Sequence, residues 1–340
     1  NRKYRSFYKQ PYYKELDGIS VYYPRYFTLP RQVRFHKSGH SLAKGVQETV
    51  RTVFKAWRFD LIHAHTALPD GFAANLLKKT YQVPTVITIH GADLQQTIDR
   101  NERLKQTVSK AMSDCDEVIV VSTKLQALQK QKIGLPDPKV TVLANGVDAL
   151  FLKESRRAEK NNKLKILSVS NLIETKGVQL NIEAIAKLID KYPSLHYQIV
   201  GTGPYLRELK LLVRDLQLQD HVEFLGKVPR AEVKKYMVDC DVFSLPSWLE
   251  SFGIVYAEAM ACAKPVIACE GEGAKDFITD KQTGFFVKRR DVSSLVDVLD
   301  QLLANDELRK KIGVRARAVI EENYTWEHHV FRLAKLYEKL

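Results

Sequence analysis

The sequence predicts an α/β protein of two Rossmann-like domains, each a parallel sheet wrapped by helices. Three observations carry this. Short apolar strands alternate with helical patterns along nearly the whole chain, as in parallel sheets joined by crossover helices. Strands such as Val118-Ile119-Val120-Val121 are apolar on both faces, as buried parallel strands are. About ten such strands are present, more than one doubly wound sheet holds comfortably, and a turn with a polar run divides them.

In chain order, strands are expected at 61–64, 86–90, 118–121, 140–143, 164–169, 197–200, 222–224, 242–245, 266–268 and 285–287. Stretches at helical spacing lie between them, among them 178–189, 205–216 and 292–303. The break is Asn145-Gly146-Val147-Asp148, whose turn chemistry precedes the charged run 153–163 (Lys-Glu-Ser-Arg-Arg-Ala-Glu-Lys-Asn-Asn-Lys). This places a first domain over 1–148 and the start of a second at 149. No short-period repeat or low-complexity segment interrupts either.

The bulk numbers narrow the class. A chain of 340 residues, 45% hydrophobic, buries a large core and suits about two domains. No run of about 18 uncharged apolar residues predicts a transmembrane helix, and the start, Asn1 rather than Met, carries no signal-peptide pattern. The four cysteines, Cys115, Cys240, Cys262 and Cys269, form no CxxC pair and have no histidine at zinc spacing. They read as buried thiols of a reduced, cytoplasmic protein.

The net charge of +13 is uneven. Residues 1–50 hold ten Lys or Arg against three acids, with Tyr4, Phe7, Tyr8, Tyr12, Tyr13, Tyr22, Tyr23, Tyr26 and Phe27 interleaved. A basic, aromatic surface suits an anionic membrane, placing the protein peripherally on the inner face of the plasma membrane. A solvated basic face over core aromatics is the plainer alternative. Nucleic acid is disfavoured, because no RRM, KH or zinc-finger signature accompanies the charge.

The candidate site residues fall at the carboxyl ends of strands, where open α/β sheets bind ligands. The run from Pro246 to Ala261 is the most informative. Glu250 and Glu258, eight residues apart, bracket the turn Ser251-Phe252-Gly253 between an apolar strand and an alanine-rich helix. Such a turn presents unpaired amides at a helix N-terminus, which suit an anion. Lys176-Gly177 opens a helix after the strand at 164–169, and a lysine beside free helix amides suits a diphosphate. Gly201-Thr202-Gly203-Pro204 lets backbone approach a ligand, although a tight βα turn would read the same way. It lacks the third glycine of a dinucleotide fingerprint. His63 and His65 alternate onto one side of a strand and suggest hydrogen-bonded polar residues rather than metal ligands, since no third ligand has matching spacing. His90, followed by Gly91, Ala92 and Asp93, ends the next strand.

Together these motifs resemble the GT-B glycosyltransferases of family 4. The second domain carries them in order. They run from Asn171 with Lys176-Gly177, through Gly201-Thr202-Gly203-Pro204 and Phe224-Leu225-Gly226-Lys227-Val228, to Asp241-Val242-Phe243-Ser244-Leu245-Pro246-Ser247. Glu250-Ser251-Phe252-Gly253, Glu258-Ala259-Met260-Ala261-Cys262, Pro265-Val266-Ile267-Ala268 and Thr283-Gly284-Phe285 complete them. The first domain matches through His63-Ala64-His65, Ile89-His90-Gly91-Ala92-Asp93 and Asn145-Gly146-Val147-Asp148. The tract Tyr22-Tyr23-Pro24-Arg25-Tyr26-Phe27 looks like enzymes of bacterial cell-wall or capsular polysaccharide assembly, such as teichuronic acid synthesis.

The resemblance implies two domains facing across a cleft, the second ending at 322 and a helix over 323–340 crossing back to the first. It implies a retaining transfer, by front-face attack and without a metal or cofactor, from a nucleotide sugar to a saccharide or polyprenyl-diphosphate-linked acceptor, a UDP-sugar being favoured over a GDP-sugar. Glu250, His90 and Lys176 would be the catalytic residues. Asn171, Lys176, Gly177, Gly201, Gly203, Lys227, Val228, Ser251, Phe252, Gly253 and Glu258 would bind the donor, with Glu258 on the ribose and Lys176 on the departing diphosphate. His65, Gly91 and Asp93 would lie on the acceptor side. The chain departs from the family at Asn171, usually Arg, and at Ala263, usually Gly. It also starts without the family's opening strand and glycine-rich loop, which reads as a truncation. A non-catalytic nucleotide-sugar binding protein and a nucleotide-sugar epimerase are the alternative readings; a dinucleotide-dependent oxidoreductase ranks last.

Overall fold

The structure, a computed structural model, describes residues 9–153 and 163–340. Arg2, Lys3, Tyr4, Arg5, Phe7 and Tyr8 of the basic start, and the charged run except for its two end lysines, lie outside the described residues. The chain divides into two compact units. The first comprises Asn1–Val121, Leu125–Val142 and Tyr337–Leu340; the second comprises Ser122–Lys124 and Leu143–Leu336.

The first unit holds a two-stranded and a four-stranded sheet. β1 (Tyr13–Leu16) and β2 (Ile19–Tyr22) form an antiparallel hairpin, with Leu16 opposite Ile19. The sequence reading did not anticipate it. The signal was present: Asp17-Gly18 joins the strands, and φ values of +50° and +79° give the two left-handed residues a tight hairpin turn needs. β3 (Ile62–His65), β4 (Thr85–Ile89), β5 (Glu117–Val120) and β6 (Val140–Val142) follow as a parallel sheet in sequential order. β4 and β5 are buried along their whole length, as the two-sided apolar pattern requires.

The second unit is a six-stranded parallel sheet built from β7 (Lys165–Val169), β8 (His196–Val200), β9 (Val222–Gly226), β10 (Val242–Ser244), β11 (Val266–Cys269) and β12 (Phe285–Val287). Its spatial order is β12-β11-β10-β7-β8-β9. The first and fourth strands of the unit are therefore neighbours, and the winding reverses direction between them, as in a doubly wound nucleotide-binding sheet. All ten expected strands are present, each within two residues of its expected bounds.

A polar network lies inside this sheet's core. Asn181, fully buried on the helix Val178–Leu188, donates to the Tyr197 hydroxyl at 3.1 Å and to the Ser244 carbonyl at 3.1 Å, and accepts from Ser244 Oγ at 2.6 Å. Ser168 Oγ and the Tyr197 hydroxyl lie 2.7 Å apart. The network pins helix to sheet across β7, β8 and β10. Asn181→Ala is expected to destabilise the protein by about 2–4 kcal/mol, because it leaves hydroxyls and a carbonyl unpaired in a dry core. Urea unfolding checks this; a loss below about 1 kcal/mol would show that the network relaxes.

Candidate functional site

The reversal of winding between β7 and β10 opens a crevice beyond their carboxyl ends, where the connections leave toward opposite faces. The loop after β7 carries Asn171 and Lys176, and the loop after β10 carries Glu250. Lys176 ends a short turn, Glu174–Lys176, and Gly177 with φ +73° redirects the chain into the helix Val178–Leu188. The Lys176 ammonium then meets Glu250 Oε2 at 2.6 Å, the side chains being 19% and 14% exposed. The two loops are also tied by Trp248 N–H donating to the Thr175 carbonyl at 3.0 Å. Two charges distant in sequence thus become one shielded pair at the switch point.

Beyond Glu250, Gly253 with φ +87° starts the helix Ile254–Ala261, and no described side chain caps it. The Tyr256 amide donates to the Gly253 carbonyl at 3.0 Å, and the Ile254 and Val255 amides at the helix start have no side-chain cap. Phe252 is 2% exposed and packs on Phe277 with ring centroids 5.0 Å apart, so it offers a ligand main chain only. Ser251 is half-buried.

Glu258, one turn further along the same helix, is 4% exposed. Its Oε1 pairs with the Arg230 guanidinium at 2.7 Å, and Arg230 also approaches Asp148 at 3.4 Å. Burial pushes the Glu258 carboxyl up to about 7 against the opposing charge of Arg230, and Asp148 adds to the rise. A buried acceptor held by one cation, close to neutrality in its titration, can take hydroxyl donors.

Gly201 and Gly203 follow β8. At Gly201, φ is +135° and a Cβ would stand 1.8 Å from the Ser170 carbonyl oxygen. That closeness seats the β8 loop directly against the loop that carries Asn171. Gly201→Ala is expected to cost about 1–3 kcal/mol in backbone strain alone and to displace the 170–176 loop; thermal unfolding together with nucleotide titration reads both effects. Asn171 and Lys227 are exposed and Val228 is half-buried, at the ends of β7 and β9.

In the first unit, β3 and β4 bring three histidines into a row. His63 and His65 stack with centroids 4.7 Å apart, as strand alternation requires, and His65 Nδ1 lies 2.9 Å from His90 Nε2. His63 is hydrogen-bonded on both ring nitrogens, to the Tyr337 hydroxyl and to Thr88 Oγ1. Gly91 takes φ +125° directly after His90. Asp93, 3% exposed, reaches the Leu68 amide at 3.4 Å and so braces the loop that follows His65; burial pushes its carboxyl up.

Arg230, Lys124 and Glu272 were not among the expected site residues, although the structure sets Arg230 on Glu258 and the other two on Glu250. Arg230 had one available signal, its place at the start of a helix just after Lys227-Val228. Lys124 had none, because it stands 126 residues from Glu250.

The chain matches two family descriptions that meet near residue 150: Glycosyltransferase Family 4 over residues 6–149 and Glycosyl transferases group 1 over residues 152–319. It is 32% identical over 301 residues to the putative colanic acid biosynthesis glycosyltransferase WcaL of Escherichia coli strain K12, covering 86% of this chain and 72% of that protein. It is 28% identical over 305 residues to the putative teichuronic acid biosynthesis glycosyltransferase TuaC of Bacillus subtilis strain 168, covering 88% and 75%. Among solved structures, Anabaena Alr3699/HepE in complex with UDP superposes with a TM-score of 0.78 at 23% identity, over 88% of this chain and 83% of that one.

Proposed function

The chain belongs to the glycosyl transferases group 1, with the GT-B fold class, and from that premise we propose that it moves a sugar from a nucleoside-diphosphate donor to a saccharide or lipid-linked saccharide in bacterial surface polysaccharide synthesis. The Lys176–Glu250 pair at the switch point is the observation that carries this reading. The donor diphosphate would replace part of Glu250's hold on Lys176 and take the uncapped amides at the start of Ile254–Ala261. Glu258 would accept from the ribose hydroxyls. The UDP complex of HepE and the polysaccharide roles in the names of WcaL and TuaC support a UDP-sugar and a polysaccharide product.

In the proposed reaction the acceptor oxygen bonds to the sugar's anomeric carbon as its bond to the diphosphate breaks, on the same face, with retention. The leaving phosphate oxygen takes the acceptor proton. Lys176 and the helix amides supply the positive charge that the leaving group needs, so the route calls for no metal. His90, whose Nε2 lies 2.9 Å from His65 Nδ1, is the catalytic residue proposed from the first unit.

The partner surface follows from the first fifty residues. Tyr12, Ile19 and Phe27 are 55%, 67% and 74% exposed beside the exposed Lys14, Arg31, Arg34 and Lys37. That mixture supports peripheral attachment to an anionic bilayer, as a lipid-linked acceptor would require. Calorimetric titration with UDP, GDP and ADP tests the donor site: one nucleotide is expected to bind saturably, and binding of none would sink the reading. Co-sedimentation with anionic vesicles tests the surface, with charge-reversed Arg31 and Arg34 expected to abolish it.

A further inference from the structure

Glu250 is held by its main chain as firmly as by its side chain. Its N–H donates to Glu272 Oε2 at 2.6 Å. Its carbonyl accepts from the Lys124 ammonium at 3.1 Å and from the Gly273 amide at 3.3 Å. Lys124 and Glu272 form an ion pair with each other, their side chains 19% and 11% exposed. The next residue is held from the same segments: the Ser251 carbonyl accepts from Ser122 Oγ at 2.6 Å, and a Cβ on Gly273 would stand 2.0 Å from that carbonyl oxygen. Ser122–Lys124 and all these partners belong to the second unit. The Thr123 amide anchors the segment further on Asp276 Oδ2 at 2.7 Å.

We propose that Lys124 and Glu272 are positioning residues for sugar transfer, a charged clamp that fixes both peptide planes of Glu250 so that its carboxylate can only point at Lys176. The inference rests on the glycosyltransferase reading for its kinetic consequence but on geometry alone for the clamp. One ammonium closes the arrangement, since it bonds the Glu250 carbonyl and neutralises the carboxylate that bonds the Glu250 amide. Without it, the buried Glu272 carboxylate would be unpaired and the two holds would loosen together. A loop displaced by about 1 Å near reacting atoms costs about 100-fold in rate. Glu258, further along the helix that follows the turn, has its own tie to Arg230 at 2.7 Å, so nucleotide affinity is expected to depend on the clamp less than turnover does.

The test uses the full chain and the variants Lys124→Met, Glu272→Gln and Lys124→Arg. Amide exchange, followed by mass spectrometry over the 250–253 turn and over Ile254–Ala261, is read first because it needs no turnover. The turn is expected to exchange at least about tenfold faster in Lys124→Met and Glu272→Gln, with the helix unchanged and Lys124→Arg close to the parent. In the same proteins kcat is expected to fall about 10- to 100-fold while the UDP Kd moves less than threefold. Unchanged exchange in both variants overturns the clamp, and so does a kcat loss that Lys124→Arg fails to rescue. Faster exchange in the two variants, with no turnover in the parent, keeps the clamp and removes the transfer reading instead. Should Lys124→Met not fold, Glu272→Gln, which keeps shape and removes one charge, carries the same comparisons.

Discussion

Lys176→Ala is expected to lower kcat for sugar transfer by about 10²–10³-fold, the loss that follows when one preorganised group facing a developing charge is removed. In the proposed reaction the leaving diphosphate would gather negative charge as its bond to the sugar breaks, and Asn171 brings no charge to share the task. The Lys176 ammonium proposed for it lies 2.6 Å from Glu250 in a site only 19% and 14% open at the two side chains. Its removal also strands the Glu250 carboxylate, and breaking a shielded pair in this way costs about 3–5 kcal/mol of folding stability. The two losses separate experimentally. Steady-state kinetics at saturating donor reads the first, and urea unfolding reads the second. A variant that unfolds earlier yet keeps its kcat would assign Lys176 to structure rather than to the reaction.

Glu258→Ala is expected to weaken nucleotide binding by about 100-fold or more, since each hydrogen bond to a charged acceptor contributes about 1.5–3 kcal/mol and the ribose offers two. On the proposed reading the same carboxyl would make binding depend on pH. Burial pushes its pKa up to about 7, and only the ionised form would accept from both hydroxyls with both oxygens. Affinity for UDP should therefore strengthen from pH 6 to pH 8 and level off above, and this slope should vanish in Glu258→Ala. Folding stability moves the other way. The folded-state pKa is raised above the ordinary 4.5, so this group's contribution is fully present below 4.5 and is lost as pH rises through about 7. Glu258→Gln, which carries no charge to bury, should gain up to about 3 kcal/mol relative to the parent at pH 8 and little at pH 4. Calorimetric titration and urea unfolding across this range check both signs. A flat affinity profile in the parent would remove Glu258 from the ribose.

The sequence by itself determined the strands, the α/β class and the family. Short apolar runs marked the ten strands of the two parallel sheets, most plainly β4, β5, β10 and β11, which are buried at every position, because a strand buried on both faces is largely apolar and no long-range information is needed to see that. The glycine turns and the glutamate spacing were legible for a related reason: a left-handed residue such as Gly253 announces its own backbone. The hairpin at Asp17-Gly18 is equally announced by its turn, but its four-residue strands are largely exposed and carry no apolar run.

Only the tertiary structure decided who meets whom. Lys176 and Glu250 are 74 residues apart, and they meet because the sheet places its first strand beside its fourth. Arg230 reaches Glu258 across 28 residues, and Lys124 reaches Glu250 across 126. Lysine and arginine look alike in a sequence, whether solvated or paired. What separates these three is the shielded carboxylate each one meets, Glu250, Glu258 or Glu272, since desolvation makes a charge depend on its partner, and burial exists only once the chain has folded.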